Sequence, residues 1–209
     1  MRIIKPSFTV ENFPTDLLTS IEKAGRTAYK SEDKITSDSA AKFVKSVIKR
    51  GHESVLEHSF ISVRFVIDRG VSHELVRHRL CAFTQESTRF VSYAKGKFGS
   101  DIAFIKPCFF EDSSIEMDMW VTGCQQSEQI YLKYISMGRK PEEARSVLNN
   151  SLKTEILVSA NVREWRHIFK LRTAPAAHPQ MREIMDQVFA EFVRREPILF
   201  EDLLIKSLM

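Results

Sequence analysis

The run from Arg77 to Tyr93 reads RHRLCAFTQESTRFVSY. It sets Arg77, His78, Arg79 and Arg89 within thirteen residues, among Gln85, Ser87, Thr88 and the carboxylate of Glu86. Charge alone would serve any polyanion, since a non-specific basic patch needs nothing more. Hydroxyls, an amide and a carboxylate add directional partners, the mix that fixes one small polar molecule in one pose. Ser87 has Gln85, Glu86, Thr88 and Arg89 beside it. That sequence suits the wrapping of backbone N–H groups and hydroxyls around a phosphate, with an arginine completing a charge-assisted pair. The chemistry expected here is the grip of a small phosphorylated ligand, for which a mononucleotide has the right size.

Other chemistries fit less well. HELVRH resembles the zinc motif H-E-x-x-H but misses it by one residue: His73 and His78 are five apart, about 140° around a helix, and cannot face one ion as an i, i+4 pair does. His52 and His58, six apart, fare no better, so no metal site is expected. Cys81 has no base and orienting acid legible beside it and reads as a packed thiol. Trp165 reads as core, and RREP and KSVIKR as solvated helix surface. His58 remains open between a structural role and a ligand contact.

The whole chain sets wider bounds. Its 209 residues, 43% hydrophobic and 28% charged with seven Gly and seven Pro, fit one compact domain and exclude collagen-like or disordered classes. Cys81, Cys108 and Cys124 are odd in number and widely spaced, so free thiols are expected rather than a disulfide framework. No apolar run reaches the ~18 residues of a membrane span, and MRIIKPSFTVENFP lacks a signal peptide's apolar stretch, so the cytosol is the expected location, with no membrane partner. The net charge of +4 suits a small anion as well as nucleic acid, so the placement of the arginines has to choose.

Helices must position these groups. Leu17, Leu18, Ile21, Ala24 and Ala28 recur at helical spacing, as do Phe43, Val44, Val47 and Ile48, with Ser37 as the expected cap and Gly51 as the stop. FISVRFVID alternates as a strand, and EILVSA reads as a second, buried one. SHELVRHR reads as a short helix capped by Ser72. Ser113 to Met137 reads as a long helix with Trp120, Cys124, Tyr131 and Tyr134 inside, and Pro141 opens another carrying Ala144, Val147 and Leu148. REWRHIFKLR packs Trp165, Ile168 and Phe169. The last helix, from Pro179, has the cleanest apolar stripe: Met181, Ile184, Met185, Val188, Phe189, Phe192 and Val193. Helices outnumbering strands, without repeats or linkers, predict an α+β domain.

At this point a family resemblance stands on four ordered motifs. Arg-His-Arg, seven residues and Ser, here RHRLCAFTQES, resembles the signature of the flavin-dependent thymidylate synthases. GHESVLEH resembles their G-H-E-[ST]-x-x-E-H, EEARSVL their Ala-Arg-x-x-Leu, and SANVREWRHIFKLR their Asn-x-Arg helix ending in Leu-Arg. The likeness runs from about Ala24 to Gln187. It implies a mixed sheet flanked by helices, a single domain over residues 1–209, and a homotetramer with active sites shared between subunits. It also implies reductive methylation of dUMP to dTMP, with methylenetetrahydrofolate as carbon donor, FAD as hydride carrier and NADPH as reductant.

The resemblance further implies roles. Arg172 would stabilise the anion developing on the uracil ring, Ser87 would hold the phosphate, and His52 would handle a proton near flavin and folate. The nucleotide would meet Glu74, Leu75, Val76, Arg77, Gln85, Glu86, Ser87, Thr88, Arg89, Arg145 and Arg172. The flavin would meet Ser54 from a neighbouring subunit, Arg77, His78, Arg79, Gln85, Asn161, Val162, Arg163 and His167. Departures from the pattern are His167 and Thr84 for asparagines, Ala82 for serine, Phe90 for tyrosine and Asn149 for proline, with a longer segment between Arg172 and His178. Two competing readings are a basic module that binds nucleic acid without flavin and an inactive relative that keeps the tetramer.

Overall fold

Alternation in FISVRFVID produces strand β3 (Phe60–Asp68), with Ile61, Val63, Phe65 and Ile67 buried and Ser62, Arg64 and Val66 half-buried. Strand β6 (Lys153–Asn161) alternates the same way, burying Thr154, Ile156, Val158 and Ala160. In the computed structural model, which describes residues 1–90, 93 and 102–206, these two are the middle strands of a four-stranded sheet. The order is β2 (Ser7–Asn12), β3, β6, β4 (Cys81–Gln85), and β1 (Arg2–Ile4) pairs in parallel with β5 (Ala103–Ile105) as a second sheet. Sheets and helices together give the α+β class expected. Val91 and Ser92, in the quoted basic run, lie outside the described residues. The chain divides into two compact units: residues 1–8, 64–77 and 83–157, and residues 9–63, 78–82 and 158–209.

In the first unit, helix α3 (Arg69–Leu75) follows β3 without a loop. Its cap is Asp68, whose carboxylate accepts from the Val71 N–H at 2.8 Å. Ser72, expected as the cap, lies inside the helix instead, because the last residue of the strand already carries the capping carboxylate. Ser114 caps α4 (Ile115–Ser136) through the Met117 N–H. This helix buries Met117, Cys124 and Tyr131, the last two in one cluster with Ile102, Phe104 and Leu152, but Tyr134, near its C-terminal end, is exposed. The buried Glu128 accepts from the Ile102 N–H and pairs with the terminal ammonium of Met1 at 3.1 Å. Helix α5 (Pro141–Ala144) stops after four residues and passes into a 3-10 turn (Arg145–Val147).

In the second unit, α1 (Leu17–Thr27) packs on α2 (Ser39–Lys49). The residue before α2 is Asp38, not the expected Ser37. Gly51, at φ +72°, ends α2 as expected: its N–H bonds to the Ile48 carbonyl and that of His52 to the Val47 carbonyl, the paired closure that needs a left-handed residue. Helices α6 (Val162–Arg172), α7 (Pro179–Arg195) and α8 (Pro197–Phe200) enclose Phe192, whose ring lies 5.1–5.3 Å from those of Phe13, Trp165, Phe169 and Phe200. Trp165 is fully buried and donates to the Ile61 carbonyl. Arg166, 1% exposed, makes a two-pronged pair at 2.7 Å with Asp202, which opens helix α9 (Asp202–Lys206). Among the described residues, no helix is long and apolar enough to cross a membrane.

Candidate active site

In the second unit, α6 is started by Asn161, whose side chain accepts from the Glu164 N–H at 2.8 Å. The helix then presents Glu164 and His167 one turn apart and ends on Arg172. His78 sits among them, its side chain 3% exposed. The Arg172 Nε–H donates to His78 Nε2 at 2.8 Å, His78 Nδ1 lies 3.5 Å from Glu164 Oε1, and the His167 ring stands edge-on at 5.9 Å. Burial, then the charges of Arg172 and His167, pulls the His78 pKa down from 6.5 to about 4, so the ring is neutral at pH 7. A guanidinium can only donate, so Nε2 carries the lone pair and the ring proton is on Nδ1, facing Glu164. Burial raises the Glu164 pKa, opposed by His167 and Arg163.

His78, Glu164 and His167 each offer a ligand atom within 4.8 Å of the others, a grouping that could hold a metal ion. The Arg172 guanidinium bonded to the same imidazole opposes a second cation there. Two residues on, Leu80 adopts φ +64° and is 73% exposed, a left-handed bend that a leucine disfavours. Burial and Glu164 push the Cys81 thiol up to about 12, which leaves no thiolate for nucleophilic chemistry at neutral pH.

The other residues expected in this unit are spread about it. Arg79 and His167 are exposed. Arg163, also exposed, pairs with Glu57 at 2.6 Å, and Glu53 lies 4.0 Å away. Val162 is fully buried, and its N–H is bonded to the Ser59 carbonyl. Ser54 and His58 are exposed on the 3-10 turn Glu53–His58. His178 caps α7 by accepting from the Gln180 N–H. His52 lines a cavity of about 620 Å³, together with Arg26, Lys34, Lys42 and Arg50 and the hydroxyls of Tyr29 and Ser31. Sequence reading missed this cavity and took KSVIKR for plain surface. Its cations are scattered over 25 residues and meet only once α1 and α2 have folded together.

In the first unit, the residues expected to grip a phosphate follow β4. The Ser87 hydroxyl accepts from the Arg89 N–H at 3.3 Å and the Ser87 carbonyl from the Phe90 N–H, a tight turn. The buried Thr88 hydroxyl accepts from Arg145 Nη1 at 3.0 Å, joining two motifs 57 residues apart. Arg89 is exposed, 3.6 Å from Glu142. Gln85 donates to Ser72 Oγ at 2.9 Å and to Thr154 Oγ1 at 3.2 Å. The Glu86 carboxylate accepts from Lys153, the Glu155 N–H and Tyr93. Both its oxygens are thus engaged within the protein. At the end of α3, Glu74 is half-buried, Leu75 fully buried, and Val76 and Arg77 exposed, while the N–H groups of Val76 and Arg77 close the helix on Ser72 and Glu74.

A family model described as thymidylate synthase complementing protein matches residues 11–198. The chain belongs to this family. Curated relatives include a flavin-dependent thymidylate synthase of Pyrococcus furiosus, 29% identical over 83% of this chain and 71% of its own. One from Mycobacterium sp. (strain JLS) is 30% identical over 87% of this chain and 78% of its own. Among solved structures, the UMP/dUMP methylase PolB of Streptomyces cacaoi, bound with 5-Br dUMP, covers 96% of both chains with TM-score 0.78 at 20% identity, which shows a shared fold.

Four of the positions expected to depart from the family pattern find local surroundings that accept the residue present. Asn149 accepts from the Ser151 N–H at 3.0 Å and approaches Cys124 Sγ at 3.6 Å, so an amide-closed turn stands where a proline would set the backbone. Thr84, Ala82 and Phe90 are exposed and disturb no packing.

Proposed function

We propose that the protein is a flavin-dependent thymidylate synthase. It converts dUMP, methylenetetrahydrofolate, NADPH and a proton into dTMP, tetrahydrofolate and NADP⁺, acting as a single-domain subunit of a cytoplasmic homotetramer with shared sites. The observation that carries the reading is the family match over residues 11–198. The names of the flavin-dependent relatives and of the dUMP-binding methylase support it.

Flavin fits the chemistry of the donors present. A dinucleotide pyrophosphate needs exposed cations, and Arg79 and Arg163 are exposed, in a unit that also holds the cation-lined cavity. The Arg163–Glu57 pair is a surface one, worth about 0–1 kcal/mol, and costs little to exchange for a phosphate. FAD when bound supplies the hydride that reduces the transferred methylene to methyl. Asn161, Val162, His167 and Ser54 of the same unit complete its surroundings in this reading, with Ser54 reaching it from a neighbouring subunit.

On the nucleotide, Ser87, Thr88 and Arg89 take the phosphate through turn N–H groups, hydroxyls and one guanidinium. Arg145 holds the uracil and ribose side, with Glu74, Leu75, Val76 and Glu86 shaping the seat around it. Arg172 donates to the ring where negative charge gathers as C5 turns nucleophilic, in the manner of an oxyanion hole. His52 moves the proton. No enzyme thiol is needed, in keeping with the raised Cys81 pKa.

The test is gel filtration after incubation with FAD, then anaerobic NADPH, then a dTMP assay. Retained yellow flavin that bleaches with NADPH, and dTMP formed only with dUMP and methylenetetrahydrofolate, are the expected results. Arg172→Ala should remain folded and form no dTMP. A folded, colourless wild type without dTMP formation would overturn the reading.

A further inference from the structure

His78 belongs to the Arg-His-Arg run, yet it differs from both neighbours: Arg77 and Arg79 are exposed, and its own side chain is 3% exposed. The resemblance places it on the flavin. In the structure both ring nitrogens already face protein groups, Nε2 accepting from Arg172 Nε at 2.8 Å and Nδ1 standing 3.5 Å from Glu164 Oε1. Arg172 is the end residue of α6. A long arginine at a helix end has many rotamers, and catalysis through a guanidinium needs one of them.

We propose that Glu164 and His78 are positioning residues for Arg172: Glu164 selects the Nδ1–H tautomer of His78, and the bare Nε2 so presented aims the guanidinium by accepting from its Nε–H. This rests on the reading of Arg172 as the group that meets the substrate. Among the described residues, Glu164, His167 and Arg172, all from α6, are the charged or titratable groups facing the imidazole, with Cys81 close to Glu164. The 3.5 Å separation is too long for a strong hydrogen bond, so Glu164 acts electrostatically, whereas the 2.8 Å bond to Arg172 is short and charge-assisted. The low pKa of His78 belongs to the same arrangement, because a protonated ring would turn Nε2 from acceptor into donor and repel the guanidinium.

Two measurements test this, and the first does not depend on turnover. In protein labelled with ¹⁵N-histidine, long-range ¹H–¹⁵N spectra at pH 7 should show His78 protonated at Nδ1 only, and Glu164→Gln should shift it toward a mixture of tautomers. An Nε2–H ring in the wild type would overturn the proposal even if dTMP is formed. The second compares His78→Gln, whose Oε1 reaches the place of Nε2, with His78→Asn, whose polar atoms reach only the place of Nδ1. At equal flavin retention and with KM for dUMP within about 3-fold, kcat should fall between about 10- and 100-fold in His78→Asn, the scale for a catalytic group displaced by up to 1 Å. It should fall less in His78→Gln. In an Arg172→Lys background, His78→Asn should cost nothing further. Equal losses in the two variants, or a full loss in the Lys background, would assign His78 to flavin binding or folding and sink the relay. If neither His78 variant folds, the tautomer spectra decide. A wild type with the Nδ1–H ring but no dTMP would refute the proposed function and leave the geometry of the relay standing.

Discussion

Asn161 is assigned to the flavin by resemblance and to the start of α6 by the structure, and one substitution separates the two. Its Oδ1 accepts from the Glu164 N–H at 2.8 Å, and the residue is 7% exposed. Asn161→Ala removes the cap and strands a buried N–H. Cap loss costs about 0.5–2 kcal/mol, and an unsatisfied buried donor about 1–3 kcal/mol. The two describe overlapping parts of one interaction, so about 2 kcal/mol is the expected loss. For a chain of this size each kcal/mol moves the melting temperature by about 2–4 °C, giving a fall of about 4–8 °C. Asn161→Ser restores an oxygen acceptor at the cap but not the amide, and should recover most of that fall. The assay is thermal unfolding followed by far-UV circular dichroism without flavin, with flavin retention measured in parallel. An alanine variant that melts with the wild type, or a serine variant that melts as low as the alanine one, would refute the capping argument. Loss of flavin without loss of stability would return Asn161 to the ligand.

Thr88→Val deletes the acceptor of Arg145, and a hydrogen bond to a charged group is worth about 1.5–3 kcal/mol. KM for dUMP should rise about 10-fold or more with kcat little changed; an unaltered KM would remove the pair from nucleotide binding. Gly51→Ala should destabilise by about 1 kcal/mol in urea unfolding, purely through the backbone, since an added Cβ meets nothing within 4 Å at φ +72°; an unchanged midpoint would contradict the left-handed cap. His78 has a folded pKa of about 4 against an ordinary 6.5, so between these values the unfolded chain binds a proton that the folded one does not. Its stabilising effect is therefore complete above pH 6.5 and is lost as pH falls toward 4. Urea midpoints of wild type and His78→Gln should converge over that interval, and a pH-independent difference would show that His78 is not buried neutral.

Much of the fold was legible because period and burial agree. FISVRFVID matches β3 residue for residue, and the apolar stripe after Pro179 is buried along α7. Errors fell where one residue serves two elements. Asp68 ends β3 and caps α3, a double role that sequence alone conceals, since Ser72 is the more conspicuous cap residue after the strand. The helix opened by Pro141 is expected from its pattern to carry Ala144, Val147 and Leu148, but it tightens into a 3-10 turn at Arg145, the residue that bonds Thr88. Periodicity cannot register that change of winding. Motif spacing located His78, Thr88, Arg145 and Arg172 without giving their partners, since those pairs are 57 and 94 residues apart. The left-handed Leu80 had no signal in its residue type.

The four groups that made Arg77–Arg89 conspicuous are not alike once burial is known. Arg77, Arg79 and Arg89 are exposed, while His78 is buried and held neutral at pH 7 by that burial and then by the charges of Arg172 and His167. A protein built only to attract polyanions gains nothing from a histidine it discharges, since each buried neutral ring subtracts from the patch. The arrangement has a use if the histidine serves as an acceptor, because among side chains that stay neutral the imidazole offers a strong lone pair in a rigid plane. The basic run therefore combines two physical characters that the proposed roles use differently: three exposed cations, and one uncharged ring whose lone pair accepts from a fourth cation, Arg172. A nucleic-acid module needs the first alone. An enzyme that stabilises a developing anion with an arginine needs both.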